Sequence, residues 1–366
     1  MTGTEAASRI ERSFRQQVRR SRNPRNAYLR VFSDRLGVNL DLAEGKTGSA
    51  DANTQQPVHL ASVGKLFTAT VVSMLSDRGK LSFHDPISRY LDPDLMSGLH
   101  VRRGTDYSNE IQIRHLLNQT SGLYDVFWPL MRQLADNQTS RLMPRDAVEW
   151  GKLHLRPGST PGRKHIYTDT NYYLLGLIVE SVTGKPFHDA LHQFIFNPLE
   201  MQSACMDGFS KPAAPSIYPP ARLFIHGTDV TETLGFAEID YAGGGVRATL
   251  DDYLRFMTAL VNHRLVSAAT LQTMLSDDAA SMPGLRYGYA VWKFITVPLL
   301  TPAKYNCWGC VGVTGAFMFF HPGTESYLIG TFNDTEHKSK ALRFMLSRIV
   351  APLLKCMQHR SGRARC

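Results

Sequence analysis

Two residues of this chain are spaced to do chemistry together. Ser62 and Lys65 stand three apart in the apolar run "HLASVGKLFTATVVSML" (59–75). On a helix that spacing sets a hydroxyl and an amine on one face, one turn apart and within reach of each other. A helix start adds partial positive charge and free backbone donors beside the serine. A lysine withdrawn from water has a lowered pKa and can take the serine proton, which makes an activated nucleophile. S-x-x-K alone is a weak motif. Its alternative is a partly exposed helix face, and this run has too few polar neighbours for that.

The elements that must hold the pair are legible around it. "AYLRVFSD" (27–34) and "GVNLDLAEG" (37–45) alternate apolar and polar residues and predict a β-hairpin. A helix follows at about 62–78, stopped by Gly79. Residues 85–230 hold helical patterns broken by Pro/Gly stretches such as "RPGSTPGR", an all-helical insertion. "YAGGGVRATLDDYLRFMTALV" reads as a glycine turn and then a helix capped by Thr249, with Asp252 three residues on. Strand character returns at about 285–332, before a last amphipathic helix at 336–355. Strands at both ends imply a sheet assembled from distant sequence.

Composition narrows the function classes. The chain has 366 residues, 43% hydrophobic, and no run of 18 apolar residues or apolar leader core, so a soluble, cytoplasmic protein without a membrane span is expected. Nine Arg among residues 1–35 face only Glu5, Glu11 and Asp34, and residues 338–366 hold eight Lys/Arg and no acid. Basic termini raise nucleic acid as a partner. No nucleic-acid module is present, and Ile10, Phe14 and Val18 recur at helical spacing, which predicts amphipathic helices with solvated basic faces. Five cysteines form no disulfide framework; "CWGC" (307–310) has no second ligand pair for a metal and leads into a strand. No metal or organic cofactor is expected.

Six ordered blocks carry a resemblance: "HLASVGKLFTA", "GKLSFHDPISRYL", "IRHLLNQTSGLYD", "YTDTNYYLLGLIVESVTGKPF", "YAGGGVRATLDDYLRFMTAL" and "GVTGAFMFFHP". Over roughly residues 5–350 the chain resembles the serine β-lactamase and penicillin-binding-protein superfamily, most of all the class C group with its esterases, D-amino peptidases and transacylases. The resemblance implies an α+β fold: a five-stranded antiparallel sheet flanked by terminal helices (1–84 and 231–366), a helical insertion (85–230), and an active site in the cleft between. It implies Ser62 as nucleophile, Lys65 as its partner and Tyr167 as proton shuttle. Read alone, Tyr167 would be a packed aromatic. The strand motif falls on Val313, Thr314 and Gly315, and the backbone N–H groups of Ser62 and Ala316 would form the oxyanion hole.

Two departures shape the expected chemistry. Asp169 stands where the family usually has Asn; it is a good N-cap for the next helix, or its carboxylate approaches Lys65 and holds it protonated. In the second case Tyr167, as a phenolate kept ionised by Lys65, is the expected proton acceptor. Val313 replaces the family's Lys or His, which helps bind a substrate carboxylate, so a neutral or apolar acyl substrate is expected; Arg247 and Arg286 are the candidate substitute cations. The expected function is a serine hydrolase cleaving an ester, lactone or amide through a Ser62 acyl-enzyme. Alternatives are an acyltransferase to an alcohol or amine, a D-amino-acid peptidase or β-lactamase, and last a non-catalytic binder. Loops 124–142 and 205–235 are expected to shape the acyl pocket.

Overall fold

The computed structural model describes residues 1–20, 25–137, 143–233, 236–297 and 302–363. Its central element is an antiparallel sheet of nine strands rather than the expected five. The predicted hairpin forms β1 (Asn26–Ser33) and β2 (Val38–Thr47), and β3 (Ala50–Asp51) edges it. From the C-terminal half come β4 (Ala279–Met282), β5 (Leu285–Tyr287), β6 (Trp292–Phe294), β7 (Cys307–Gly312), β8 (Ala316–His321) and β9 (Ser326–Thr331). The order is β4-β5-β6-β7-β8-β9-β1-β2-β3, with β1 between β2 and β9. Five strands have six residues or more; the four that exceed the expectation have two to four, too short to show a period-2 pattern.

Alternation along the strands splits the core between the two sheet faces. Ala27, Leu29 and Val31 of β1, Phe317 and Phe319 of β8 and Leu328 of β9 face the terminal helices. These are α1 (Gly3–Arg19) and the C-terminal helix Ala351–Arg363, which pack on that one face. Ile10, Phe14 and Val18 are buried there, while the arginines between them stay outside. The α1 start is fixed by a capping box, with Thr2 Oγ1 accepting the Glu5 N–H at 3.2 Å and Glu5 Oε2 accepting the Thr2 N–H at 2.8 Å. Phe14 meets the rings of Phe332 and Phe344. Cys307 and Cys310 fall in the cores on opposite sheet faces, so the "CWGC" thiols point away from each other and both are free.

The opposite face packs on the helix Leu250–Val261 (α4), which shares one continuous core with α2 (Gly64–Asp77) and α3 (Thr170–Thr183). Helix α2 ends as read, with Gly79 at φ +65° after the last turn. Thr249 caps α4, but the Asp252 carboxylate turns away to the Ser203 N–H and hydroxyl instead of closing the box. The segment 85–230 is not all-helical: the short pairs Val101–Arg102 with Thr105–Asp106 and Phe224–Ile225 with Thr228–Asp229 lie within it, and Cys205–Met206 pairs with Val246–Ala248. Short turns of this kind are set by local geometry and leave no periodicity.

Phe14→Ala is expected to cost about 3–5 kcal/mol, because it empties a ring-filled site between α1 and the sheet. Urea melts measure this; a loss under about 1 kcal/mol would mean that α1 contributes little to the core.

Candidate active site

Ser62 does not lie inside α2 but on the tight turn Ala61–Val63 that leads into it. Ala61 is held at φ +48°, an unfavourable conformation for alanine. A buried brace supports it: His59 Nδ1 accepts the Ala61 N–H at 3.2 Å, and His59 Nε2 stands 3.1 Å from Asp240 Oδ2. Because Nδ1 accepts, the ring proton belongs on Nε2, the nitrogen beside the carboxylate. The Cys310 thiol of β7 donates to the Ser62 carbonyl at 3.2 Å, fastening the turn to the sheet. Glycine is required at position 64, since a Cβ there would come within 2.7 Å of the Gly244 Cα. The "GGG" run (243–245) therefore sits directly against the helix that follows Ser62.

Lys65 is fully buried and its three N–H donors are all used. They go to Ser62 Oγ at 3.2 Å, to the Gly243 carbonyl at 2.7 Å and to Asp169 Oδ1. The rings of Tyr167 and Tyr172 lie 5.2 and 5.3 Å from the ammonium, close enough for cation–π attraction. Burial pulls the lysine pKa down, but Asp169, then Tyr167 and Asp240, outweigh it and raise the pKa well above the ordinary value. Lys65 is therefore an ammonium at rest. Burial pushes Asp169 up to about 6, against the attraction of Lys65 and with Asp125 as an added repulsion.

Of the two expected roles for Asp169, the side chain takes the Lys65 pairing. It makes no capping bond, and the first turn of α3 is served by Thr168, whose Oγ1 accepts the Thr170 N–H at 3.1 Å. Tyr167 departs from the phenolate expectation. Burial raises its pKa above the ordinary value and outweighs both Lys65 and the hydrogen bond with Ser62, so the phenol keeps its proton at rest. Its ring stacks on Trp292 at 6.1 Å and meets Tyr287 edge-on at 5.9 Å.

Ser62, Tyr167 and Asp169 open on one cavity of about 520 Å³, whose far wall includes Val313 and Thr314. Thr314 is buried and its hydroxyl has no hydrogen-bond partner. Gly315, at φ +72°, cannot take a side chain because a Cβ would press on His337 at 2.8 Å. Ala316 starts β8 opposite Gly312, and an added Cβ at Gly312 would touch both Ala316 and Ala61, so the Ser62 turn and the start of β8 are in close approach. A hydroxyl hydrogen-bonded to a buried ammonium, with a phenol beside it and a cavity above, is an arrangement for acyl transfer.

The beta-lactamase family model matches residues 25–351. The chain belongs to the beta-lactamase family. Among curated relatives, penicillin-binding protein 4* of Bacillus subtilis is 23% identical over 321 residues, 81% of this chain and 67% of that one. The Bacillus subtilis protein PbpX is 26% identical over 233 residues, 63% of this chain and 52% of that protein, so the chain spans about half to two thirds of these relatives. The D-amino acid amidase of Ochrobactrum anthropi superposes with a TM-score of 0.78 at 20% identity, covering 98% of this chain and 99% of that one. EstCE1, a hydrolase with promiscuous acyltransferase activity, superposes at 0.74 and 19% identity, covering 96% and 99%. At these identities the superpositions establish the fold.

Within that family frame, several residues at the site were not singled out in the sequence. Asp125 and Asp240 join Asp169 in lining the cavity. Asp125 Oδ1 accepts the Asp169 N–H at 3.0 Å, and burial raises its pKa. Phe127, Trp128, Ile225, Met282 and Trp292 form the apolar side, so both expected loops reach the pocket; their residues 138–142 and 234–235 lie outside the described residues. Neither candidate cation does so. Arg247 pairs with Asp207, and Arg286 pairs with Asp278 and lines a different cavity. Lys338, exposed at the rim, is the cation that lines this pocket. No metal-binding group of His, Cys, Asp and Glu occurs among the described residues, nor any helix long and apolar enough to cross a membrane.

The Asp169 pKa of about 6 predicts the acid side of the pH profile. As pH falls through that value the carboxylate takes a proton and Lys65 loses its main counter-charge, so Ser62-dependent turnover should fall. Asp169→Asn, which lacks the counter-charge at every pH, should hold turnover at the lowered level and flatten this limb; an unchanged limb near 6 would assign it to another group.

Proposed function

We propose that the protein is a serine hydrolase that cleaves a carboxylic ester or amide through an acyl-enzyme on Ser62. The observation that carries this reading is the Ser62 hydroxyl held between the buried Lys65 ammonium and Tyr167 at the floor of the 520 Å³ cavity. As the substrate carbonyl is attacked, the Ser62 proton passes to the Tyr167 oxygen while that phenol gives its own proton to the leaving group. Lys65 stabilises the negative charge that develops on the tyrosine and serine oxygens. The backbone N–H groups of Ser62 and Ala316 receive the oxyanion. Water then releases the acyl group by the reverse path. In this reading residues 1–84 and 231–366 form one unit and 85–230 the other, and both supply walls: Ser62 and Val313 from the first, Asp125 and Trp128 from the second.

Charge refines the substrate class. Asp169 is balanced by the Lys65 ammonium, which leaves Asp125 and Asp240 against one exposed lysine, Lys338; this disfavours an acyl donor that carries a carboxylate, in agreement with Val313 in place of a cation. The apolar side suits an aliphatic or aromatic acyl group, and the acid side tolerates an amine on it. The expected neutral or apolar substrate is thus widened to neutral or amine-bearing, with esters and amides kept, as expected, as scissile groups.

Incubation with a short-chain p-nitrophenyl ester and a chromogenic cephalosporin tests the reading. The wild type should turn over the ester, show a Ser62 adduct by intact mass, and cleave little cephalosporin, while Ser62→Ala does neither. Retained ester turnover in Ser62→Ala would overturn the mechanism. Lys65→Ala should cost roughly 10²- to 10⁴-fold. Val313→His should raise cephalosporin turnover relative to the ester; an unchanged ratio would contradict the role given to Val313.

A further inference from the structure

A second cavity, of about 580 Å³, opens between the segments 114–120, 162–165 and 277–286. Its charge is opposite to that of the acid-lined pocket. Arg114, Arg163, Lys164 and Arg286 contribute four positive charges to its wall, against the carboxylates of Asp277 and Asp278. Both carboxylates are already engaged. Asp278 pairs with Arg286 and Lys293, and Asp277 accepts from Asn118 Nδ2 at 3.2 Å and from the Tyr289 hydroxyl at 2.6 Å. Arg114 Nε donates to Gln112 Oε1 at 2.7 Å, and among the described residues no carboxylate pairs with Arg114, Arg163 or Lys164.

Neutral donors complete the wall. His115 Nδ1 accepts the Gln112 N–H at 3.2 Å, which puts its ring proton on Nε2, and burial, together with Arg114, pushes its pKa down to about 4. The ring is therefore an uncharged N–H donor at neutral pH. His165 Nε2 is buried and, among the described residues, has no hydrogen-bond partner. The wall is braced: the Gly162 N–H donates to the Thr120 carbonyl at 2.8 Å, the Ile166 N–H donates to the Gln119 carbonyl at 2.9 Å, and Arg286 is fixed opposite Ala280 in the β4–β5 pair.

We propose that this cavity binds a small, multiply charged anion of the phosphate class, as inorganic phosphate or as the phosphate group of a larger molecule. Three cations without a carboxylate partner call for more than one negative charge, and guanidinium forks match the oxygens of a phosphate. The site is separate from Ser62 but shares a wall with its pocket. The His165 ring lies 5.8 Å from that of Trp292, which lines the Ser62 cavity, and His165 precedes Tyr167 by two residues. An anion seated here therefore bears on the segment that carries the catalytic tyrosine.

Calorimetric titration of inorganic phosphate at low ionic strength tests this without reference to turnover. The wild type should bind one phosphate saturably, and the exposed double variant Arg163→Gln/Lys164→Gln should weaken binding at least about tenfold with an unchanged melting temperature. Lys338→Gln, at the rim of the other pocket, should bind as the wild type does. Absence of saturable binding, equal affinity in the double variant, or loss of binding in Lys338→Gln instead would each overturn the proposal.

Discussion

A buried ammonium is the constraint on which this site depends. An isolated Lys65 charge would be too costly to keep out of water, and the fold compensates it with one acceptor from its own turn, Ser62 Oγ, and two from distant parts of the chain, the Asp169 carboxylate and the Gly243 carbonyl. Each acceptor fixes something else. Reaching Gly243 brings α2 against the glycine run and forbids a side chain at Gly64. Reaching Asp169 places the start of α3, and with it Tyr167, over the nucleophile. In the proposed reaction the neutral phenol and the charged lysine are complementary, one supplying a proton path and the other a fixed positive field.

The second organising feature is the strained turn that presents Ser62. Ala61 at positive φ lifts the serine ahead of the helix, and the cost of that conformation is offset by the His59–Asp240 brace and the Cys310 thiol. Asp240 therefore has three duties: it orients His59, adds to the field that keeps Lys65 charged, and lines the substrate cavity. Acidity concentrated on one side of the cavity and aromatic surface on the other give the pocket a polarity that the substrate must share.

What was legible in the sequence follows from how local each signal is. Ser62, Lys65 and Tyr167 sit in contiguous motifs, and the hairpin, α2 with its Gly79 stop, and the Ile10–Phe14–Val18 stripe declare themselves through spacing. Of the four short strands, β5 and β6 fall within the stretch read as strand-like, while β3 and β4 leave no signal, because two to four residues carry no period. Asp125, His59 and Asp240 were passed over because their meaning lies in contacts across the fold. Asp125 is within a quoted motif and still says nothing alone about Asp169. Lys338 reached the pocket in place of Arg247 and Arg286 for the same reason: which cation faces a cleft is decided by packing and by which carboxylates are already paired. The sequence narrows Asp169 to two roles, and the Lys65 contact together with the absence of a capping bond separates them.

The protonation state of Lys65 is the central claim, and carbon-13 NMR of Lys65 labelled at Cε measures it directly, with Lys65→Arg used for assignment. The account predicts a charged resonance that does not titrate between pH 6 and roughly the ordinary lysine pKa of about 10.4. A resonance that loses its proton near neutral pH would make Lys65 an amine at rest, and would move the role of base from Tyr167 to the lysine.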